Sequence, residues 1–528
     1  MHLKIAFIGA GSVGFCRRLA MDLLIVEEFR ESAIEFALHD ISEQNLDMVA
    51  TLLEKDLAAN DLPARITRHL ERAPALDGAK YVINCTRIGG LDAYQSDIDI
   101  PLQYGIDQCV GDTICAGGIM YGQRNIPAIL DFQQDMARRC ADDALFLNYA
   151  NPMAINTWAA LDAYDRGEGI NTVGLCHGVQ HGHWQIAEVL AHYHGESELM
   201  KSAQGDLDGY TAATRLVEIV CIGINHQTWY TDIRYQGRPV SGDELLAAFE
   251  SHPEFSKTEK VRIDVLRRFG YYSTESNGHL SEYLPWYRKR PEEIHQWIDL
   301  SSWIHGETGG YLRYNLENKN WFKTDFPKWL EKAGQPIKSW KRTNEHGSYI
   351  IESIETSRPY RGHFNVRNNG TITNLPPDCI IEAPGYVDRF GINMITGHTL
   401  PQACAATCRA SIDVQRMAKD AALTGDRLLL KQAMLHDPLT AAVCNPEEIW
   451  QLTDHLLSAQ ADWLPQYISS GAVEAARVAL SDHEKAGTRI TLRDWSGAAR
   501  IPVKSIEQLR MEDQSNILET DPAAAVAE

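Results

Sequence analysis

The feature that most constrains this chain stands at its start. Lys4 to Ile8 is a short β-type run that breaks into Gly9-Ala10-Gly11-Ser12-Val13-Gly14, and Phe15 to Ile25 follows with apolar residues at helical spacing. Strand, glycine turn and helix in that order predict a nucleotide-binding α/β unit. Glycines let the backbone approach a pyrophosphate, and the helix N-terminus offers it free N–H groups. A second alternating run, Ile34 to Leu38, ends in His39-Asp40, and Asp40 lies 26 residues beyond Gly14. That is near the spacing at which an acidic side chain accepts bonds from an adenosine ribose. Gly9, Gly11, Ser12, Gly14 and Asp40 are therefore the expected cofactor-binding residues. A carboxylate at 40 repels a 2′-phosphate, which favours NAD over NADP, although Arg17 and Arg18 weaken that preference slightly.

Further β-type runs at Tyr81 to Cys85, Ala144 to Tyr149 and Thr172 to Leu175 alternate with helix-like stretches, as a Rossmann-like doubly wound parallel sheet of α/β class requires. A chain of 528 residues exceeds what one compact core usually holds, so two joined domains are expected. Residues 1–200 read as the NAD-binding domain. Residues 201–480 read as a mixed α+β second domain for substrate and metal, with a strand candidate at Arg215 to Ile224, an insertion near 288–345, and helices over 397–460 whose Cys404, Cys408 and Met417 look like core. Residues 481–528 read as a C-terminal extension with a disordered end. Asp plus Glu outnumber Lys plus Arg by 71 to 50, a charge of −21 that repels nucleic acid and anionic lipid. Eleven scattered cysteines with no CxxC pair point away from a disulfide scaffold or zinc ribbon. The uncharged stretches of about 18 residues, such as 144–161 and 169–187, are interrupted by Asn, Pro, Gly or His, so no membrane span is expected. Together these features suggest a cytoplasmic protein.

Three short segments follow strand candidates, where ligands of an open α/β sheet gather: Asn148-Tyr149-Ala150-Asn151-Pro152, Cys176-His177-Gly178-Val179 and Gly223-Ile224-Asn225-His226. A thiolate and an imidazole can hold a divalent transition metal with positions left open for substrate hydroxyls. Taken singly, Cys176 reads equally as a buried thiol and His226 as a core histidine.

The series GAGSVGF, VGDTICAGGIMYGQRNIP, NYANPMAINTW, GLCHGVQ, GINHQTW, HLSEYLPW, NVRNNGTITNLP and EAPGYVD, spread from about residue 4 to about 465, resembles glycoside hydrolase family 4, the NAD- and metal-dependent glycosidases. It is most similar to the melibiase-type α-galactosidase branch. The resemblance implies hydrolysis by a redox route. NAD⁺ takes a hydride from C3 of the sugar, a base removes the acidified C2 proton, and a metal such as Mn²⁺ stabilises the enediolate. The leaving group is then eliminated, water adds, and the hydride returns. Cys176 and His226 match the family's metal ligands, and Asn151 matches an asparagine that binds substrate hydroxyls. His177 stands where phospho-sugar members place an acid for the leaving oxygen. The resemblance puts Asp112 and Arg124 in a loop that orients the sugar, with His279 nearby. For the C2 base it points to the segment from Gly270 to His279, where Asn277 occupies an Asp position of some members and cannot serve. Glu275 is the nearest carboxylate, Tyr271, Tyr272 and Tyr283 are phenolic candidates, and Glu282 reads as support.

The sequence after Cys176 departs from the CNxP and CDxP patterns of phospho-sugar members, which implies an unphosphorylated α-glycoside, most simply an α-galactoside. Gly178 stands where α-galactosidases more often have Ser, so α-glucosidase, α-glucuronidase and α-galacturonidase activities stay open. Cys115 replaces a small residue. Two rivals compete: a plain NAD-dependent dehydrogenase of the lactate/malate type, and a sugar-sensing protein without activity. Related enzymes imply a homodimer or homotetramer.

Overall fold

The computed structural model describes residues 2–204 and 209–497. Six parallel strands form the first half of the sheet: β1 (His2–Ile8), β2 (Ala33–His39), β3 (Arg65–His69), β4 (Tyr81–Asn84), β5 (Leu145–Asn148) and β6 (Asn171–Gly174). Their spatial order is 3-2-1-4-5-6, the dinucleotide-binding arrangement in which the strand order reverses at β1. Alternation along β1 explains the double winding. Leu3, Ile5 and Phe7 pack with Leu19, Leu23, Leu46 and Leu53 of the helices Val13–Ile25 and Glu43–Ala59, whereas Ala6 and Ile8 face Ile129, Phe132 and Ala160 on the other side.

The register decides where the chemistry can gather. Ile8 pairs with His39 and Asn84, Asn84 with Asn148, and Asn148 with Gly174, so these five strands end at one level. Asn84 Nδ2 donates to Asn148 Oδ1 at 2.9 Å across that last rung. The row continues into an antiparallel half built from β7 (Val217–Ile224), β8 (Gln227–Tyr235), β9 (Arg238–Pro239), β10 (Tyr272–Ser273), β11 (Tyr360–Arg367), β12 (Ile380–Asp388) and β13 (Gly391–Met394). Gly174 meets Asn365 of β11, Asn365 meets Glu382 of β12, and Glu382 meets Gly223 of β7. Parallel and antiparallel parts therefore share one sheet, and both halves of the chain contribute to one edge. The fold is the expected Rossmann-like α/β class, with the strands after β6 antiparallel.

The helix Cys115–Arg139 runs below this edge, its first three turns buried. Its glycines have a specific reason. A Cβ on Gly117 would stand 2.8 Å from the Asp97 carbonyl, and one on Gly118 would stand 2.5 Å from Thr113 N, so only glycine lets the Asp112-Thr113 turn fold back on the helix. Cys115 adopts φ +64°, a glycine-like conformation, and its thiol bonds the Glu282 carbonyl at 2.8 Å. Residues 402–459 are helical as expected, with Cys404 and Cys408 buried and Met417 packed against the core. The strand expected from Arg215 begins at Val217, because Gly209–Leu216 is helical. The stretch near 288–345 forms short helices, and Trp321, Trp329 and Trp340 pack beside the first core. Arg17, a candidate for a 2′-phosphate, is instead held by Asp56 at 2.7 Å under the Trp340 ring. Among the described residues no helix is long and apolar enough to cross a membrane. The disordered end expected of the C-terminal extension, Glu519 to Glu528, lies outside the described residues.

Arg124 is buried and donates to both oxygens of buried Asp97, at 2.8 and 2.6 Å, and to Gln460 Oε1 at 2.6 Å. This pair ties the helix Cys115–Arg139 to the helix Gly90–Gln103. Replacing Asp97 with Ala strands a buried guanidinium and should cost about 3–5 kcal/mol of stability, read as a lowered denaturation midpoint. An unchanged midpoint would contradict this reading of the pair.

Candidate active site

Each functional loop begins where its strand stops. After β1, Gly9 turns with φ +84°, and a Cβ there would lie 3.0 Å from Thr86. Gly11 donates its N–H to Asp40 Oδ2 at 2.7 Å, and Ser42 N donates to Asp40 Oδ1 at 2.8 Å. Asp40 thus clamps the glycine turn, and each carboxylate oxygen keeps a lone pair. A Cβ on Gly11 would fall 2.7 Å from that carboxylate. Ser12 precedes the helix Val13–Ile25, which includes Gly14 and has no side-chain cap on its first N–H groups. The turn, the open helix end and Asp40 fit a dinucleotide.

Three loops at the strand ends supply a second group. After β6 come Cys176 and His177, and the tight turn between β7 and β8 carries His226 with φ +63°. After β10 comes Glu275, with φ +70°. Cys176 Sγ lies 3.3 Å from His226 Nε2 and 3.9 Å from Glu275 Oε1, and Glu275 Oε1 lies 3.7 Å from His226 Nε2. A thiol, an imidazole and a carboxylate converging from three loops suit a divalent transition metal. Burial, with the Glu275 and Glu382 carboxylates adding to it, pushes the Cys176 thiol up to about 12, so a cation is needed to hold its thiolate. Burial also raises Glu275, but His226 and His279 outweigh it and bring that carboxyl down to about 2. Gly178 makes the approach possible, since a Cβ there would meet Glu275 Oε1 at 2.3 Å. A side chain at 178 therefore bears first on Glu275 rather than on the sugar.

His226 is oriented from behind. Thr113 Oγ1 lies 2.6 Å from His226 Nδ1 and 2.8 Å from Asp112 Oδ1. The hydroxyl has one proton, so donation to Asp112 leaves it accepting from Nδ1–H, which turns the Nε2 lone pair toward Cys176. Asn151 Nδ2 donates to Asp112 Oδ2 at 2.7 Å, and Asn125 holds the Asn151 carbonyl at 2.6 Å. His279 Nε2 faces Asp112 Oδ1 at 3.8 Å, and its Nδ1 lies 3.5 Å from Glu275 Oε2. His177 Nε2 pairs with Glu345 Oε2 at 2.7 Å, and its ring stacks on Tyr149. Burial pulls His177 down, but the Glu345 carboxylate prevails and lifts it to about 9.

Two expected residues stand elsewhere. Arg124 is committed to Asp97 and Gln460, and Tyr271 packs in the core around Trp229 and Ile380. Tyr283 is the phenol beside the group, its hydroxyl 3.4 Å from His226 Nδ1. Tyr272 is stacked on Phe249. Asn277 is structural, accepting from Val261 N and donating to two carbonyls. Glu282 accepts from the N–H groups of Cys109, Val110 and Gly111. Sequence reasoning missed Thr113 as an orienting group and Glu345 altogether. Thr113 lay inside the quoted GDT segment, and Glu345 carries no local signal.

The model of the family 4 glycosyl hydrolases matches residues 4–192, and that of the family's C-terminal domain matches 221–440. An alpha-galactosidase of Rhizobium meliloti is 58% identical over 97% of this chain and 98% of its own length. The chain belongs to glycosyl hydrolase family 4. An alpha-galactosidase of Bacillus subtilis is 34% identical over 88% of this family 4 chain and 99% of its own. A 6-phospho-beta glucosidase of Thermotoga maritima, solved with manganese, NAD⁺ and glucose-6-phosphate, shares the fold at TM-score 0.66 and 21% identity, covering 88% of this chain and 99% of that one.

Replacing Thr113 with Val removes the acceptor that orients His226. It should weaken Mn²⁺ binding about 10- to 100-fold in calorimetric titration of the family 4 enzyme, while the Thr113→Ser variant retains it. Equal binding by both variants would refute this role.

Proposed function

We propose that this glycoside hydrolase cleaves unphosphorylated α-galactosides, using NAD and a divalent metal such as Mn²⁺. The observation that carries the reading is the convergence of Cys176, His226 and Glu275 on the sheet edge that also holds the glycine turn and Asp40. The likeness to the Rhizobium meliloti alpha-galactosidase over nearly the full length of both chains supports the galactoside.

When bound, NAD⁺ accepts and returns a hydride, and the metal polarises sugar oxygens and acidifies the adjacent C–H. The chain's own groups do the rest. Cys176, His226 and Glu275 would hold the metal, which leaves the sugar side to Asp112, Asn151 and His279. Asp112, in the turn before the helix Cys115–Arg139, and Asn151, after β5, orient hydroxyls, each fixing the other. With Glu275 engaged as a ligand, the C2 proton is assigned to His279, braced by Ser276 Oγ at 2.9 Å from its Nδ1. His177, kept protonated by Glu345, delivers a proton to the leaving oxygen.

Two experiments check this. Among p-nitrophenyl α- and β-galactosides, glucosides and galacturonides, the α-galactoside should be cleaved fastest, only with NAD⁺ and Mn²⁺ both present, and without accumulating NADH. Net NADH formation would favour the dehydrogenase reading, and a faster glucoside or galacturonide would displace the galactoside. The acid role gives a pH signature. His177 is raised above its ordinary value, so its proton is present below about 9 and lost above it. The rate should therefore fall on the alkaline side near that value. Glu345→Gln removes the raising partner and leaves burial, so that limb should move down by about one unit or more. An alkaline limb that stays in place would exclude His177 as the acid.

A further inference from the structure

The arginine expected to face the sugar, Arg124, is spent on Asp97, and a different guanidinium stands open in its place. Arg87 follows β4 at the same carboxyl edge, three residues beyond Asn84. Its guanidinium carbon lies 4.6 Å from the ring centre of Tyr94, 5.1 Å from Tyr121 and 5.5 Å from Tyr311. Rings hold the faces of a guanidinium and leave its N–H edge available. Among the described residues no carboxylate, carbonyl or amide accepts a hydrogen bond from it. The buried arginines Arg124, Arg262 and Arg288 are all paired with carboxylates, whereas half-buried Arg87 is not.

The loop that carries Arg87 is fixed to the site from both sides. Ile88 N donates to Asn125 Oδ1 at 3.4 Å, and the same Asn125 holds the Asn151 carbonyl. Arg124 Nε donates to the Ile88 carbonyl at 3.3 Å, and Gly89, at φ +85°, starts the next helix where a Cβ would strike Ala93 at 2.4 Å. Arg124 is thus a positioning residue for this loop. Tyr311 comes from the stretch near 288–345, whose helix Gly310–Glu317 packs on the helix of Tyr94. That stretch therefore closes one side of the arginine's cage.

We infer that Arg87 is a substrate-binding and specificity-determining residue, whose guanidinium edge donates to a pair of hydroxyl oxygens on the galactoside while Tyr94, Tyr121 and Tyr311 hold its plane. This rests on the proposed α-galactoside reading and adds a contact that the metal group and Asn151 do not supply. Lysine keeps the charge and loses the planar fork, so Arg87→Lys tests the geometry.

The experiment is calorimetric titration of methyl α-galactoside into the enzyme loaded with NAD⁺ and Mn²⁺, alongside kcat and KM on the p-nitrophenyl substrate. Arg87→Lys should weaken sugar binding and raise KM about tenfold or more, with NAD⁺ and Mn²⁺ binding unchanged. Tyr311→Ala should give a smaller loss, about two- to fivefold, and Tyr311→Phe almost none. Unchanged sugar binding in Arg87→Lys would overturn the inference. So would a matching loss of NAD⁺ affinity, which would give the arginine to the cofactor, or a loss confined to galacturonide, which would mean that it reads a carboxylate. If the wild-type enzyme binds the galactoside but cleaves no α-galactoside, the functional reading fails while the titration still decides the role of Arg87.

Discussion

The parallel ladder that aligns Ile8, His39, Asn84, Asn148 and Gly174 is the constraint on which the rest depends. Because these residues stop together, the next one in each loop emerges at the same height. A slip of one residue in any strand would invert its side chains and withdraw its loop from the edge. The Asn84–Asn148 side-chain bond holds the central rung, and the bridges through Asn365, Glu382 and Gly223 carry that level to the turn of His226. A glycine turn suited to a nucleotide and a Cys-His-Glu group suited to a metal can lie side by side only because one sheet edge carries both.

Within that crevice the polar groups are arranged by contacts too close for other residues. Gly178 admits Glu275, Gly118 admits Thr113, and Gly11 admits Asp40. Each glycine lets a charged or hydroxylic partner come near enough to fix a neighbour. The electrostatics follow the same layout. Half-buried Cys176 stays protonated without a cation, Glu275 stays ionised, and His177 keeps its proton through Glu345. Three titratable groups at one sheet edge are held in different states by their immediate partners, the condition under which acid and metal-ligand roles can coexist near neutral pH.

Much of this was legible in the chain. The strand, glycine turn, helix and Asp40 specify their local structure by spacing, and they fold as expected. Asn151, Cys176 and His226 could be located because each lies directly after a strand. What escaped were partners brought in by tertiary packing. Glu345 lies 168 residues from His177, and nothing around it marks a site. Tyr271 and Tyr283 are alike in sequence, but only the second falls on the helix that passes His226. Arginines mislead most readily: Arg124 sits inside a recognisable motif yet serves a buried carboxylate, whereas Arg87 follows an ordinary strand end and stands among three tyrosines. The turn at Cys115 explains why glycine suits that place, since its φ is positive.

The central claim is that Cys176 and His226, brought together from β6 and the β7–β8 turn, form the metal centre. Its most direct test is Mn²⁺ titration of the intact enzyme and of Cys176→Ser and His226→Ala variants, followed by the paramagnetic resonance of the ion. The account predicts one tightly held Mn²⁺ per chain in the wild type and loss of that site in both variants, with NAD⁺ binding kept. Mn²⁺ held as tightly by either variant as by the wild type would contradict it.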